Sequence, residues 1–212
     1  VHKIILRAQK RKNSKTHQLK NSSTQKLINS KTHQLKKLKN SMKITIFTGS
    51  RGAGKSTRFI HEYRNRGNGL CFFSLKRRGA DGKVCAYDLV LYPKGETLPF
   101  FEKDPEVDME TASKEQLAVK DLTGEMMHSC SYFVHKSAFD KALLYYKEHP
   151  EAKEIWIDEI GRIEIAGQGF RELLMTALAD GKDVFFVARN NFVPKLLPLL
   201  PADADIQTIE VG

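Results

Sequence analysis

Residues Gly49, Ser50, Arg51, Gly52, Ala53, Gly54, Lys55 and Ser56 follow the spacing G-x-x-x-x-G-K-[ST], and Thr57 continues the run. Phosphate recognition accounts for each residue type. The glycines let the backbone turn left-handed and approach an anion with no Cβ in the way. Successive backbone N–H groups, with the N-terminus of a following helix, then cradle phosphate oxygens. Lys55 is expected to reach the β- and γ-phosphates, and the Ser56 hydroxyl to hold Mg²⁺. Further on, Ile155-Trp156-Ile157-Asp158-Glu159 passes from apolar to acidic. Asp158 is the expected second magnesium group, through water or by orienting Ser56. Glu159 is the candidate base that positions and deprotonates an attacking water, pointing away from Asp158 if the strand continues. The plainer readings are a glycine-rich turn and a strand that ends in acids at solvent. The flanks favour the chemical reading: a strand-like run over 43–48 enters the glycine loop and a helix-like run over 56–66 leaves it.

These groups need a scaffold. The helix after the loop carries Phe59, Ile60 and Tyr63 on one face, and Gly67 stops it. Residues 69–75 and 84–92 read as a β-hairpin around Asp81-Gly82. The stretch 93–128 is polar and interrupted by proline, and is set apart as an insert expected to be mobile, with a short strand over 97–101. A strand follows at 130–134. Ser137 and Asp140 have capping-box spacing, predicting a helix over 138–149 before Pro150. Phe170, Leu173, Leu174, Ala177 and Leu178 make an amphipathic helix ended by Gly181. Strands over 184–188 and 205–211, with a short helix around 192–199 between them, complete the chain. Alternating strands and helices predict an α/β fold of the P-loop NTPase type (RecA-like, Rossmann-like). Its sheet is expected to be mostly parallel, covered by helices on both faces, with one hairpin. Trp156 alternates with Ile155 and Ile157, so a place on a sheet face is favoured over stacking on a base.

Charge divides the chain. Residues 1–41 hold twelve of the 35 basic residues and no acid, leaving 23 basic against 25 acidic residues in 42–212, a net charge of −2. The body therefore lacks the footprint of a nucleic-acid binder, and only the basic segment offers one. In that segment NSKTHQLK occurs at 13–20 and again at 29–36, with NSSTQKLI between. So polar a repeat has little apolar surface to bury, and disorder is expected. The chain begins with Val1 and Met42 stands just before the first strand, so a start assigned too early is the favoured explanation of 1–41. Three cysteines without a C-x-x-C pair fit reduced thiols in the cytoplasm. No histidine or cysteine cluster has zinc-ligand spacing. His61, His128, His135 and His149 are expected as surface or satisfied histidines. Lys76, Arg77 and Arg78 read as a solvated turn. No apolar run is long enough to span a bilayer, and the basic start lacks the apolar core of a secretion signal.

Beyond the acidic pair the chain reads Ile160-Gly161-Arg162-Ile163-Glu164, with Phe170 further on. The segment resembles the Asp-Glu-Ile-Gly-Lys-Met-Glu…Phe signature of the small THEP-type nucleoside-triphosphatases. The resemblance extends over roughly 42–212, through the phosphate loop, Tyr132-Phe-Val and the order of elements. The chain departs from the pattern in Lys55-Ser56-Thr57 where Lys-Thr-Thr is commoner, and in a second strand that lacks the family's glutamate. The resemblance implies magnesium-dependent hydrolysis of nucleoside triphosphates to diphosphate and phosphate, with broad base preference. Physically, Arg162 is open to two roles, an in-cis cation at the γ-phosphate or an ion-pair partner of Glu164. Glu164 is open to water positioning or to a structural role.

Two other functions remain open. A kinase or phosphotransferase would move the γ-phosphate to an acceptor, with 93–128 as lid, but that stretch contains no arginine. An ATP-dependent switch would gate a partner. A GTP switch is disfavoured, because Arg189-Asn190-Asn191 stands where a guanine-reading Asn-Lys-x-Asp would be sought.

Overall fold

The computed structural model describes residues 42–108, 111–122 and 124–212. The expectations for 1–41 lie outside the described residues. The body is built on one ten-stranded sheet. Its first half is parallel. Strand β1 (Lys43–Thr48) lies between β10 (Asp205–Glu210) and β9 (Asp183–Val187), and β8 (Glu154–Ile157) and β2 (Leu70–Arg78) follow outward. Five of the six β1 residues are buried, as a continuous apolar run in a covered sheet should be.

Alternation along the strands sorts side chains to two faces. Ile44, Ile46, Ile155, Ile157 and Phe72 join the larger core, under α2 (Lys136–Lys147) and α4 (Arg171–Ala179). Phe47, Trp156, Cys71 and Phe185 face the other way and pack with Phe59, Ile60 and Tyr63 of α1 (Lys55–Arg66). Helices thus cover both faces, and Trp156 belongs to the core. It is fully buried, stacks on Phe185 at 3.9 Å and meets Phe59 edge-on at 5.3 Å. Gly67 caps α1 in the left-handed region with φ 61°, its N–H donating to the Tyr63 carbonyl at 2.9 Å.

The second half of the sheet differs from the sequence reading. From β2 outward the order is β3 (Val84–Tyr92), β4 (Glu96–Lys103), β7 (Tyr132–His135), β6 (Met126–Ser129) and β5 (Lys120–Asp121), every pair antiparallel. The sheet is therefore mixed, and the predicted hairpin β2–β3 is the first of several. The stretch 93–128 contributes β4 to the interior of this half, with Phe100 buried against Phe139 and Phe170. Helix α2 starts two residues earlier than capping spacing predicts. Chain leaves β7 at His135 directly into the helix, and no side chain caps it.

Candidate active site

The glycine loop connects the end of β1 to α1, at the carboxyl edge of the parallel strands, where ligands bind in open α/β sheets. Gly54 is the N-cap of α1 with φ 88°, a conformation that a side chain disfavours. Lys55 opens the helix and is buried, and its Nζ donates to the Ser50 carbonyl at 2.6 Å across the loop. Gly49 answers a different demand. A Cβ there would lie 2.3 Å from the Val211 carbonyl oxygen, where the chain after β10 runs beside the loop.

Opposite the loop, Asp158 follows directly on β8. Its N–H donates to the Phe72 carbonyl, and Ser74 donates its hydroxyl to the Asp158 carbonyl. The Ser56 hydroxyl donates to Asp158 Oδ1 at 2.9 Å. Asp158 is 2 % exposed, and its Oδ2 is buried without a hydrogen-bond partner. Burial pushes its carboxyl up to about 7, against the lowering effect of the Ser56 bond. The Asp158–Glu159 peptide is cis. Strand β8 ends before Asp158, and Glu159 meets Arg189, whose Nε donates to Oε1 at 3.1 Å.

The rest of the motif divides into two tasks. Glu164, in the short helix α3 (Arg162–Ile165), is 3 % exposed. Its Oε2 accepts the Gly161 N–H at 2.8 Å and its Oε1 the Phe170 N–H at 3.1 Å. It therefore fixes the loop that carries Phe170 into the core. The partners of Glu164 are backbone N–H groups rather than Arg162. Arg162 turns elsewhere, its Nη1 donating to the Leu117 carbonyl at 2.9 Å.

A family model described as NTPase matches residues 43–212. The chain belongs to this family of THEP1-like nucleoside-triphosphatases. The fold agrees with two solved structures. THEP1 from the hyperthermophile Aquifex aeolicus is 20 % identical, with a TM-score of 0.52 over 80 % of this chain and 90 % of that one. A human cancer-related nucleoside triphosphatase is 19 % identical, with a TM-score of 0.53 over 79 % of this chain and 88 % of that one. No curated protein matches.

In this NTPase the oxygens of Ser56 and Asp158 form a pair whose chemistry suits a hard divalent cation, and the unpartnered Oδ2 is an oxygen that could ligate one. Among the described residues no group of three or more His, Cys, Asp or Glu could hold a metal by itself. His128 is a satisfied histidine as expected, although buried, with Nε2 3.2 Å from Asp104 Oδ2. Sequence reasoning missed Arg189 and Ser74. Arg189 had one visible signal, a basic residue directly after an apolar strand, in a segment read only for guanine recognition. Ser74 had none, because its partner is the backbone carbonyl of Asp158, just beyond the end of β8.

Proposed function

We propose that this enzyme hydrolyses nucleoside triphosphates to diphosphate and inorganic phosphate, with magnesium and with little regard to the base. The observation that carries the reading is the Ser56–Asp158 contact at 2.9 Å with the second carboxylate oxygen buried and unpartnered. An ionised carboxylate so placed is costly unless a cation meets it. Magnesium, when bound, supplies positive charge against the β- and γ-phosphate oxygens. The N–H groups of Gly49, Ser50, Arg51, Gly52, Ala53 and Gly54, with those of Lys55, Ser56 and Thr57, hold the phosphates. Lys55 exchanges the Ser50 carbonyl for the β- and γ-phosphate oxygens. Glu159 takes a proton from water as the water oxygen bonds the γ-phosphorus. The bond from that phosphorus to the bridging oxygen breaks, and the diphosphate leaves with its charge stabilised by Lys55. Arg162, whose Nη1 donates to the Leu117 carbonyl at 2.9 Å, would have to leave that carbonyl to act as a cation at the γ-phosphate. Broad base preference is what the likeness to the THEP-type family implies.

A cytoplasmic location is supported by free Cys71, Cys85 and Cys130. Among the described residues no helix is long and apolar enough to cross a membrane.

Phosphate release from ATP, GTP, CTP and UTP, with magnesium and without an acceptor, tests the reading. Turnover of all four within about tenfold of one another is expected, with loss of roughly 100-fold or more in K55A and E159Q. Tight nucleotide binding without turnover would move the kinase and switch readings ahead.

A further inference from the structure

Arg189 occupies a position that no sequence motif assigns. Strand β9 lies between β1, which delivers the phosphate loop, and β8, which delivers Asp158. The chain leaving β9 is tied to both. The Ala188 N–H donates to the Phe47 carbonyl at 2.9 Å, and the Asn190 N–H to the Gly49 carbonyl at 3.4 Å. On the other side, the Ile160 N–H donates to the Val187 carbonyl at 2.8 Å. The backbone of Arg189 is therefore held between the first glycine of the loop and the residue after Glu159.

Of the other cations near the site two are engaged, while Arg51 lies exposed in the loop and Lys76 acts on Asp158 from β2. Lys55 crosses the loop to Ser50, and Arg162 serves Leu117. Arg189 gives its Nε to Glu159, and the side chains of this pair are 42 % and 32 % exposed. Ion pairs so open to solvent are weak. A γ-phosphate has more charge and offers the geometry that a guanidinium fork binds in bidentate fashion.

We propose that Arg189 is the in-cis arginine that reads the γ-phosphate of this enzyme. Glu159 is its counter-ion before the triphosphate arrives. Binding of the triphosphate draws the guanidinium to the γ-phosphate oxygens and leaves the carboxylate free to accept the proton of water. A diphosphate offers no γ-phosphate and leaves the pair intact. The inference rests on the hydrolase reading for the role of Glu159, but the recognition of the γ-phosphate does not.

The test is equilibrium binding of a β,γ-imido triphosphate and of the matching diphosphate to the full chain with magnesium, beside steady-state hydrolysis. R189A and R189Q are expected to lower triphosphate affinity about tenfold and diphosphate affinity less than about twofold. The kcat of both should fall on the order of 1,000-fold. R189K should regain most of the affinity and only part of kcat, since an ammonium lacks the fork. E159Q, which removes the counter-ion, should bind the triphosphate more tightly than the wild type. An unchanged ratio of triphosphate to diphosphate affinity in both R189A and R189Q would overturn the proposal and leave Arg189 as a prop for the loop. Should E159Q keep its turnover, the assigned base is wrong, and the affinity ratio still decides the role of Arg189.

Discussion

Both carboxylate oxygens of Glu164 accept backbone N–H bonds, from Gly161 and Phe170, inside the protein. Two effects oppose each other there. The bonds favour the ionised form and burial favours the neutral one. Burial is the larger and pushes the group up to about 7. A carboxyl raised in the folded state binds more protons there than in the unfolded chain. Its contribution to stability is therefore complete below the unfolded value of 4.5 and is lost as pH rises through about 7. Urea unfolding at pH 5, 6, 7 and 8 should show the wild-type advantage over E164Q shrinking with pH, by on the order of 3 kcal/mol across the window. A pH-independent difference would mean that Glu164 stays ionised throughout. Gly169 is its neighbour, with φ 64°, and a Cβ there would lie 2.5 Å from Glu164 Oε1 and 2.6 Å from Ile163 Cγ2. Gly181 has a similar φ of 69° and open space around it. G169A should cost about 2–4 kcal/mol and G181A about 1 kcal/mol in the same unfolding measurement. Equal costs would show that backbone strain alone matters at 169.

Helix α1 carries Lys55, the proposed phosphate-binding lysine, at its first position, so its seat on the sheet bears on the proposed site. That seat is the cluster of Phe47, Phe59, Ile60, Tyr63, Trp156 and Phe185. Trp156→Ala removes its central ring and should cost about 3–5 kcal/mol. Thermal unfolding measures the loss, and saturating nucleotide should restore part of it by mass action. A Trp156→Ala protein as stable as the wild type would mean that the cluster closes over the cavity. Much at this scale was legible because it is local. The glycine loop, the stop at Gly67 and the alternation around Trp156 are written in neighbouring residues. What was missed depends on distant partners. Strand β4 looks like part of an insert until β3 and β7 pair with it on either side. The start of α2 was misplaced because Ser137 and Asp140 imitate a cap, while β7 delivers the chain straight into the helix. Arg189 meets Glu159 only once β8 and β9 lie side by side. Gly169 is required by Glu164, for which no spacing rule exists, and the clash with Val211 adds to Gly49 a demand that its motif does not state.

At the scale of the whole chain, the twelve basic residues of 1–41 stand against a body of net charge −2. Every residue assigned to the site lies within the body, between Gly49 and Arg189. The two parts therefore affect hydrolysis differently. A protein that begins at Met42 should keep the kcat of the full chain, because every group proposed to touch the phosphates is retained. Its KM is another matter at low salt. The substrate is a polyanion, and a basic segment raises its local concentration and its rate of encounter. That attraction is screened over about 10 Å at 0.1 M salt and about 30 Å at 0.01 M. The KM of the shortened protein should thus exceed that of the full chain at 0.01 M salt and equal it at 0.15 M. Steady-state kinetics at both salt concentrations check this. A fall in kcat on removal of 1–41 would mean that the basic segment supplies a group to the reaction, and the site as drawn from the body would be incomplete. Equal KM at both salt concentrations would mean that the segment exerts no pull on the substrate. Its charge would then matter for larger polyanions, whose binding to the full chain would weaken steeply with salt.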